Sequence, residues 1–168
     1  MSQKTVDLIV KLYELSFGYQ FGPCITRHIP LVEDPLWNVE EVNHYKKLTA
    51  AKTVAAGLGE QTADYLVANF GKQSDSILEG MKDFSPSEPE EALIRSELRF
   101  CFEKEMVVKS VDFLDRRTGR MCFDIGSVKR FKDIVLNDLA GYALWDENQK
   151  KSDREFLELR MKEVTSFS

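Results

Sequence analysis

Apolar residues in this chain recur at spacings of three and four from one end to the other, and glycines stand where the runs stop. That period fits helices and constrains the fold more than any other feature. Val6, Ile9, Val10, Tyr13 and Phe17 form the first stripe, so the spacing predicts a helix over 4–17 that Gly18 ends. Asn38 suits an N-cap, with Glu40 and Glu41 in the first turn of a helix over 39–56. Gly57-Leu58-Gly59 then turns tightly into a helix over 60–69, with Ala63, Leu66, Val67 and Phe70 on one side and Gly71 as its stop. A short helix over 74–79 and a loop over 81–88 follow. Pro89 favours a helix start, and Ile94, Leu98, Cys101 and Phe102 carry a helix over 90–107. Ser110 is placed to cap a short helix over 111–118, closed by Gly119. Ser127 is placed to cap another, whose stripe is Val128, Phe131, Val135, Leu139 and Tyr142. Asp146 and Gln149 read as a capping box for a last helix over 147–164.

Only one stretch breaks this pattern. Gly18, Gly22-Pro23, Pro30 and Pro35 punctuate 19–37, and the prolines argue against a central strand there, although 24–29 could be a short extended piece. The expected architecture is all-α: seven or eight helices in an irregular orthogonal bundle, forming one helical domain over 1–168. Within it, 1–17 is an opening helix, 18–37 an extended connector and 38–168 the helical body.

The chain has 168 residues, 43% of them hydrophobic and 30% charged. That length can bury a core without metal or disulfide staples. No apolar run reaches the ~18 residues that a membrane span needs. A formal net charge of -5 argues against nonspecific attraction to DNA or anionic membranes. Cys24, Cys101 and Cys122 are odd in number and far apart, and read as buried small hydrophobes in a reducing cytosol.

The usual signatures of catalysis are missing. No GxGxxG follows a strand, and no P-loop, HExxH or CxxC pair occurs. His28 and His44 each stand alone, so neither is expected to ligate a metal or catalyse. Gly57-Leu58-Gly59 joins two helices, which excludes a dinucleotide loop. Backbone amides at the start of the following helix could hold a phosphate, with Lys46, Lys47 and Lys52 nearby, but the acidic total weakens a nucleic-acid reading. The dense segment is 97–120. Glu105 falls on the stripe of Ile94, Leu98 and Cys101, and a carboxylate there needs a partner. Arg116 and Arg117 offer one, and Asp112 is an i,i+4 neighbour of Arg116. Glu105, Asp112, Arg116 and Arg117 are therefore expected to form a charged knot that joins two helices, a structural rather than a catalytic group.

The run from Glu97 to Thr118 contains Glu105, Asp112, Phe113, Leu114, Arg116, Arg117 and Thr118. It resembles the C-terminal helical domain of FAD-dependent glycerol-3-phosphate dehydrogenases and α-glycerophosphate oxidases, in which a helix with a Glu-Met or Glu-Leu step precedes a D-F-L-x-R-R-T turn. The 50–78 region is also similar to that family, with its glycine turn, Tyr65-Leu66 and Phe70-Gly71. The resemblance implies a parent enzyme that oxidises sn-glycerol 3-phosphate to dihydroxyacetone phosphate through FAD and passes electrons to quinone or oxygen. It implies that the flavin loop and the substrate site lie in a flavoprotein core outside this chain. This piece alone is expected to bind no FAD or metal and to carry no catalytic residue. The expected partner is that core, met through Tyr19, Phe21, Ile29, Leu36 and Trp37 of the connector. The expected location is cytoplasmic, with peripheral membrane association of the parent and self-association of this chain left open. The alternative is a stand-alone helical binding module that uses the Gly-Leu-Gly hairpin on nucleic acid or protein.

Overall fold

The computed structural model describes residues 2–22, 25, 29–30, 32, 34–84 and 88–166. Cys24, His28 and most of the extended piece expected at 24–29 lie outside them. The fold is all-α, with eight α-helices and no strand among the described residues. The helices are α1 (Ser2–Phe17), α2 (Val39–Ala55), α3 (Thr62–Phe70), α4 (Ser74–Gly80), α5 (Pro89–Lys104), α6 (Arg120–Phe123), α7 (Ile125–Tyr142) and α8 (Glu147–Thr165). They fall into two compact units, Met1–Pro35 and Leu36–Ser168.

The first unit is α1 and the chain after it. Gly18 ends the helix and donates its N–H to the Glu14 carbonyl. Tyr13 gathers the rings of Phe17, Tyr19 and Phe21, with centroids 4.5, 6.1 and 5.8 Å away. The Phe21 N–H donates to the Glu14 carboxylate. The stripe residues Val6, Ile9, Tyr13 and Phe17 are exposed.

The second unit holds a continuous core. Leu66 and Phe70 of α3, Ile77 of α4, Leu98 and Cys101 of α5, and Val128, Val135 and Leu139 of α7 are buried in one cluster, which Leu157 and Met161 of α8 close. α5 sits between α4 and α7 in contact. Its stripe and that of α7 therefore face a shared interior, as helical periodicity requires. Asn38 caps α2 by accepting the Glu41 N–H, and Asp146 and Gln149 form the reciprocal capping box of α8. Gly57, with φ of 80°, reverses the chain between α2 and α3. A side chain there would be strained and would meet Pro89 at 3.0 Å.

Four local expectations change. α5 ends at Lys104 rather than 107, because the chain turns left-handed at Met106 (φ 58°) and the Val107 N–H returns to the Cys101 carbonyl. No glycine marks that stop. Ser110 does not cap the next segment. It is buried, donating both its N–H and its hydroxyl to Asp153 of α8. The segment itself, Asp112–Arg117, is a π-helical turn. Ser127 likewise sits inside α7, whose cap is Asp124, accepting the Ser127 N–H. The one-turn helix α6 has no counterpart in the sequence pattern. Cys101 is buried, but Cys122 on α6 is exposed, because only two of that turn's four residues, Arg120 and Met121, face inward.

Candidate functional site

Glu97 and Arg120 are charged side chains buried against each other in the core. Glu97 lies on α5, three residues after Ile94 and four before Cys101, so helical spacing puts it on the core stripe. Its side chain is 0% exposed and that of Arg120 9%, and they meet at 2.8 Å. Arg120 also donates to the Ser127 hydroxyl, and its guanidinium lies over the Tyr65 ring, 5.0 Å from the centroid. The Tyr65 hydroxyl donates to the same Glu97 oxygen. Glu97 Oε1 and Arg120 Nε have no partner among the described residues. Burial is the largest influence on the Glu97 carboxyl and raises it above the ordinary carboxylate range, against the pull of Arg120 and Tyr65. Burial also pushes the Tyr65 hydroxyl well above its usual value, and Glu97 beside it acts the same way. For Arg120, burial opposes the charge, but Glu97 more than restores it, so the guanidinium stays protonated.

The expected knot lies closer to the surface. Glu105 is the C-cap of α5, 22% exposed, and the Arg117 Nε stands 3.8 Å from its carboxylate. Arg117 donates at 2.5 Å to the Glu105 backbone carbonyl instead. Asp112 accepts from the Val108 and Lys109 N–H groups, which ties down the approach to the π-helical turn, and pairs with Arg116 at 2.5 Å. Asp115 of the same turn holds Arg160 of α8 at 3.0 Å. The four residues thus form two neighbouring pairs, Glu105–Arg117 and Asp112–Arg116. The carboxylate that most needs a partner is Glu97. Its position on the stripe is visible in the sequence, but its partner is not: Gly119, with φ of 64°, breaks the helical register before Arg120.

Above this centre opens a cleft of about 1090 Å³, bounded by the 57–59 turn, the start of α5 and the 115–124 segment. It is not a nucleotide cradle. A flavin pyrophosphate is held where a strand turns through glycines into a helix, whereas Gly57-Leu58-Gly59 joins α2 to α3 and the described residues contain no strand. The described residues do not fit that cofactor. Of the three hairpin lysines two are engaged by carboxylates, and Lys47 is exposed. Lys46 is paired with Asp64 and Lys52 with Asp75, at 2.9 and 2.6 Å. Among the described residues no group of three His, Cys, Asp or Glu side chains is arranged to hold a metal ion. His44 is exposed.

The residues expected to meet a core are divided between the two units. Tyr19, Phe21 and Ile29 are exposed in the first. In the second, Leu36 is half-buried and Trp37 is 69% exposed. No helix among the described residues is long and apolar enough to cross a membrane.

Comparison with known proteins places this fold. The aerobic glycerol-3-phosphate dehydrogenase of Bacillus subtilis (strain 168) is 29% identical over 160 residues, which cover 94% of this chain and 29% of the relative. That of Staphylococcus haemolyticus (strain JCSC1435) is 27% identical over 168 residues, 98% of this chain and 30% of the relative. This chain therefore spans under a third of the length of these curated relatives. The structure of the glycerol-3-phosphate dehydrogenase from Bacillus halodurans complexed with FAD superposes with a TM-score of 0.78 at 24% identity, covering 95% of this chain and 32% of that one, and so shares its fold. The family model for the C-terminal domain of alpha-glycerophosphate oxidase matches residues 24–150. With well over half of its length matched, this chain belongs to the family of C-terminal domains of alpha-glycerophosphate oxidase.

Proposed function

We propose that this chain acts as the C-terminal accessory domain of an FAD-dependent sn-glycerol-3-phosphate dehydrogenase and packs against the flavoprotein core. The observation that carries this reading is the family match over residues 24–150. A fold shared with under a third of a larger FAD-containing enzyme agrees with it. The reaction proposed for the whole enzyme is oxidation of glycerol 3-phosphate to dihydroxyacetone phosphate. No step of it is assigned to residues here, because the described residues offer no flavin cradle. The role proposed for this chain is to cover and orient the core. Tyr19, Phe21, Ile29, Leu36 and Trp37 are proposed to contribute to that contact, with self-association covering them when the core is absent. The whole enzyme is proposed to work in the cytoplasm, with peripheral attachment at the cytoplasmic face of the membrane. The hairpin reading as a nucleic-acid module is disfavoured by the Lys46–Asp64 and Lys52–Asp75 pairs, which neutralise two of its three lysines, and by the net charge of -5.

The test is reconstitution. The purified chain should be colourless and should not oxidise glycerol 3-phosphate above background, with or without added FAD. Mixed with an FAD-loaded flavoprotein core, it should co-elute in a defined complex. A yellow preparation, intrinsic oxidation, or absence of any complex would overturn the reading.

A further inference from the structure

We infer that Asp153, Trp145 and Phe156 form a binding site for a small organic cation, an amine or guanidine attached to an apolar or aromatic body. The charged head pairs with Asp153. The site shares no lining residue with the cleft above Glu97 and goes beyond the accessory-domain reading.

Asp153 of α8 is 6% exposed, and its Oδ1 is buried without a hydrogen-bond partner among the described residues. Its Oδ2 accepts the Ser110 N–H at 3.1 Å and the Ser110 hydroxyl, so both groups it holds are neutral. It differs in this from Glu97, whose carboxylate holds a guanidinium. Asp153 lines a cleft of about 530 Å³ together with Val108, Lys109, Trp145, Gln149 and Phe156. Ser110 does not line it, so the oxygen that Ser110 occupies faces the interior and Oδ1 is the one left for the cleft side. A buried acceptor with no donor carries an uncompensated desolvation cost, and a ligand that brings the donor relieves it. The volume lies within the roughly 300–1,000 Å³ of small-molecule sites.

The walls select the kind of donor. Phe156 already takes a cation: the Lys109 ammonium lies 5.2 Å from its ring centroid. Trp145 borders the same cleft, and the faces of both ring types attract ammonium and guanidinium groups. A carboxylate beside aromatic rings favours a protonated nitrogen over a hydroxyl and repels an anion. The rings also cover the apolar body to which that nitrogen is attached. Lys109 is the one cationic side chain lining the cleft, and it holds the ring face that a ligand needs. Oδ1 itself has almost no accessible surface. A ligand therefore enters by displacing the exposed Lys109 side chain, taking over its ring contact and extending the charge to Asp153.

The experiment titrates the intact chain carrying Trp37→Phe, in which Trp145 is the remaining tryptophan, and reads its fluorescence. The probes are phenethylamine, phenethyl alcohol and phenylacetate at neutral pH. The expected result is a saturable response to phenethylamine, binding weaker by about tenfold or more for the alcohol, and none for phenylacetate. Asp153→Asn keeps an oxygen for Ser110 and should weaken amine binding by about tenfold or more. Phe156→Leu should weaken it by about threefold or more, and Lys109→Ala should strengthen it. Phe156 and Lys109 are exposed, so those two variants test the site even if Asp153→Asn fails to fold. No saturable response to the amine, equal affinity for amine and alcohol, or unchanged amine binding in Phe156→Leu overturns the site. The accessory-domain reading survives each of these failures, because it is decided by co-elution with the flavoprotein core.

Discussion

Removing the Glu97 carboxylate isolates the buried Glu97–Arg120 ion pair of this fold. Glu97→Ala leaves the Arg120 guanidinium, only 9% exposed at its side chain, without its counter-ion, and also deprives the Tyr65 hydroxyl of its acceptor. Breaking a buried pair from one side typically costs ~3–5 kcal/mol, because the surviving charge is neither solvated nor paired. For a unit of this size such a loss corresponds to a fall of about 10–15 °C in melting temperature. Two comparison variants locate the effect. Glu163 on α8 has a side chain 54% exposed and paired with Arg160. Glu163→Ala should therefore shift stability by only ~1 kcal/mol or less. Glu105→Ala removes a weakly paired carboxylate at the end of α5 and should behave like Glu163→Ala rather than like Glu97→Ala. Pairing Glu97→Met with Arg120→Leu should recover most of the loss, since the apolar replacement leaves no orphaned charge. Thermal unfolding followed by circular dichroism reads all four. If Glu97→Ala and Glu163→Ala melt together, or if the double variant is no better than Glu97→Ala, the buried pair does not carry the energy assigned to it.

Three further expectations follow from the same geometry. Because burial raises the Glu97 carboxyl above its ordinary value of 4.5, the folded state holds that proton more tightly than the unfolded chain. Its stabilising share is therefore full below that value and declines as pH rises through the folded one, so melting of wild type against Glu97→Gln should show wild type losing ground as pH rises above 4.5; wild type gaining ground would mean that Arg120 outweighs burial. Asp153 accepts both the Ser110 N–H and the Ser110 hydroxyl in a buried site. Asp153→Ala should cost about 1–3 kcal/mol in chemical denaturation, a neutral result counting against that tie between α8 and the 108–110 segment. Gly119 has a left-handed backbone, and a Cβ there would lie 3.2 Å from the Phe123 ring. Gly119→Ala should destabilise by roughly 1–2 kcal/mol, whereas an unchanged melt would mean that α6 shifts freely.

Most helices are legible because their signals are local. Asn38, Asp146 and Gln149 each cap as their chemistry dictates, and the stripes of α3, α5 and α7 bury the residues their spacing selects, except Phe102 and Tyr142, which are partly buried. What escapes the sequence is non-local or unmarked. Met106 stops α5 in a conformation that usually calls for glycine, so the spacing alone carries the helix three residues too far. Ser110 and Ser127 look like caps, but each serves a partner distant in sequence: Asp153 for Ser110 and Arg120 for Ser127. The same logic misplaces the charged centre. Glu97 and Glu105 both fall on the α5 stripe, and only the fold says that Glu97 lies mid-helix beside Tyr65 while Glu105 lies at the helix end beside solvent.

The position of Arg120 links this buried centre to the surface of the unit. One helical turn has too few internal hydrogen bonds to hold its own direction, so α6 is oriented by what it anchors: Arg120 on Glu97 and Ser127, and Met121 in the core. Those two face inward, while Cys122 and Phe123 of the same turn are exposed. The π-helical turn before it is held in the same way by Asp112 and by Asp115, with Arg116 paired to Asp112 and Arg117 to Glu105. A buried ion pair contributes little net stability compared with a well-packed apolar substitute. Its value here is geometric: a guanidinium that must reach Glu97 permits one rotation of α6, where an apolar side chain would tolerate several. Substituting both members of the pair by apolar residues is then compatible with a stable fold, but it removes the constraint on the rotation of α6.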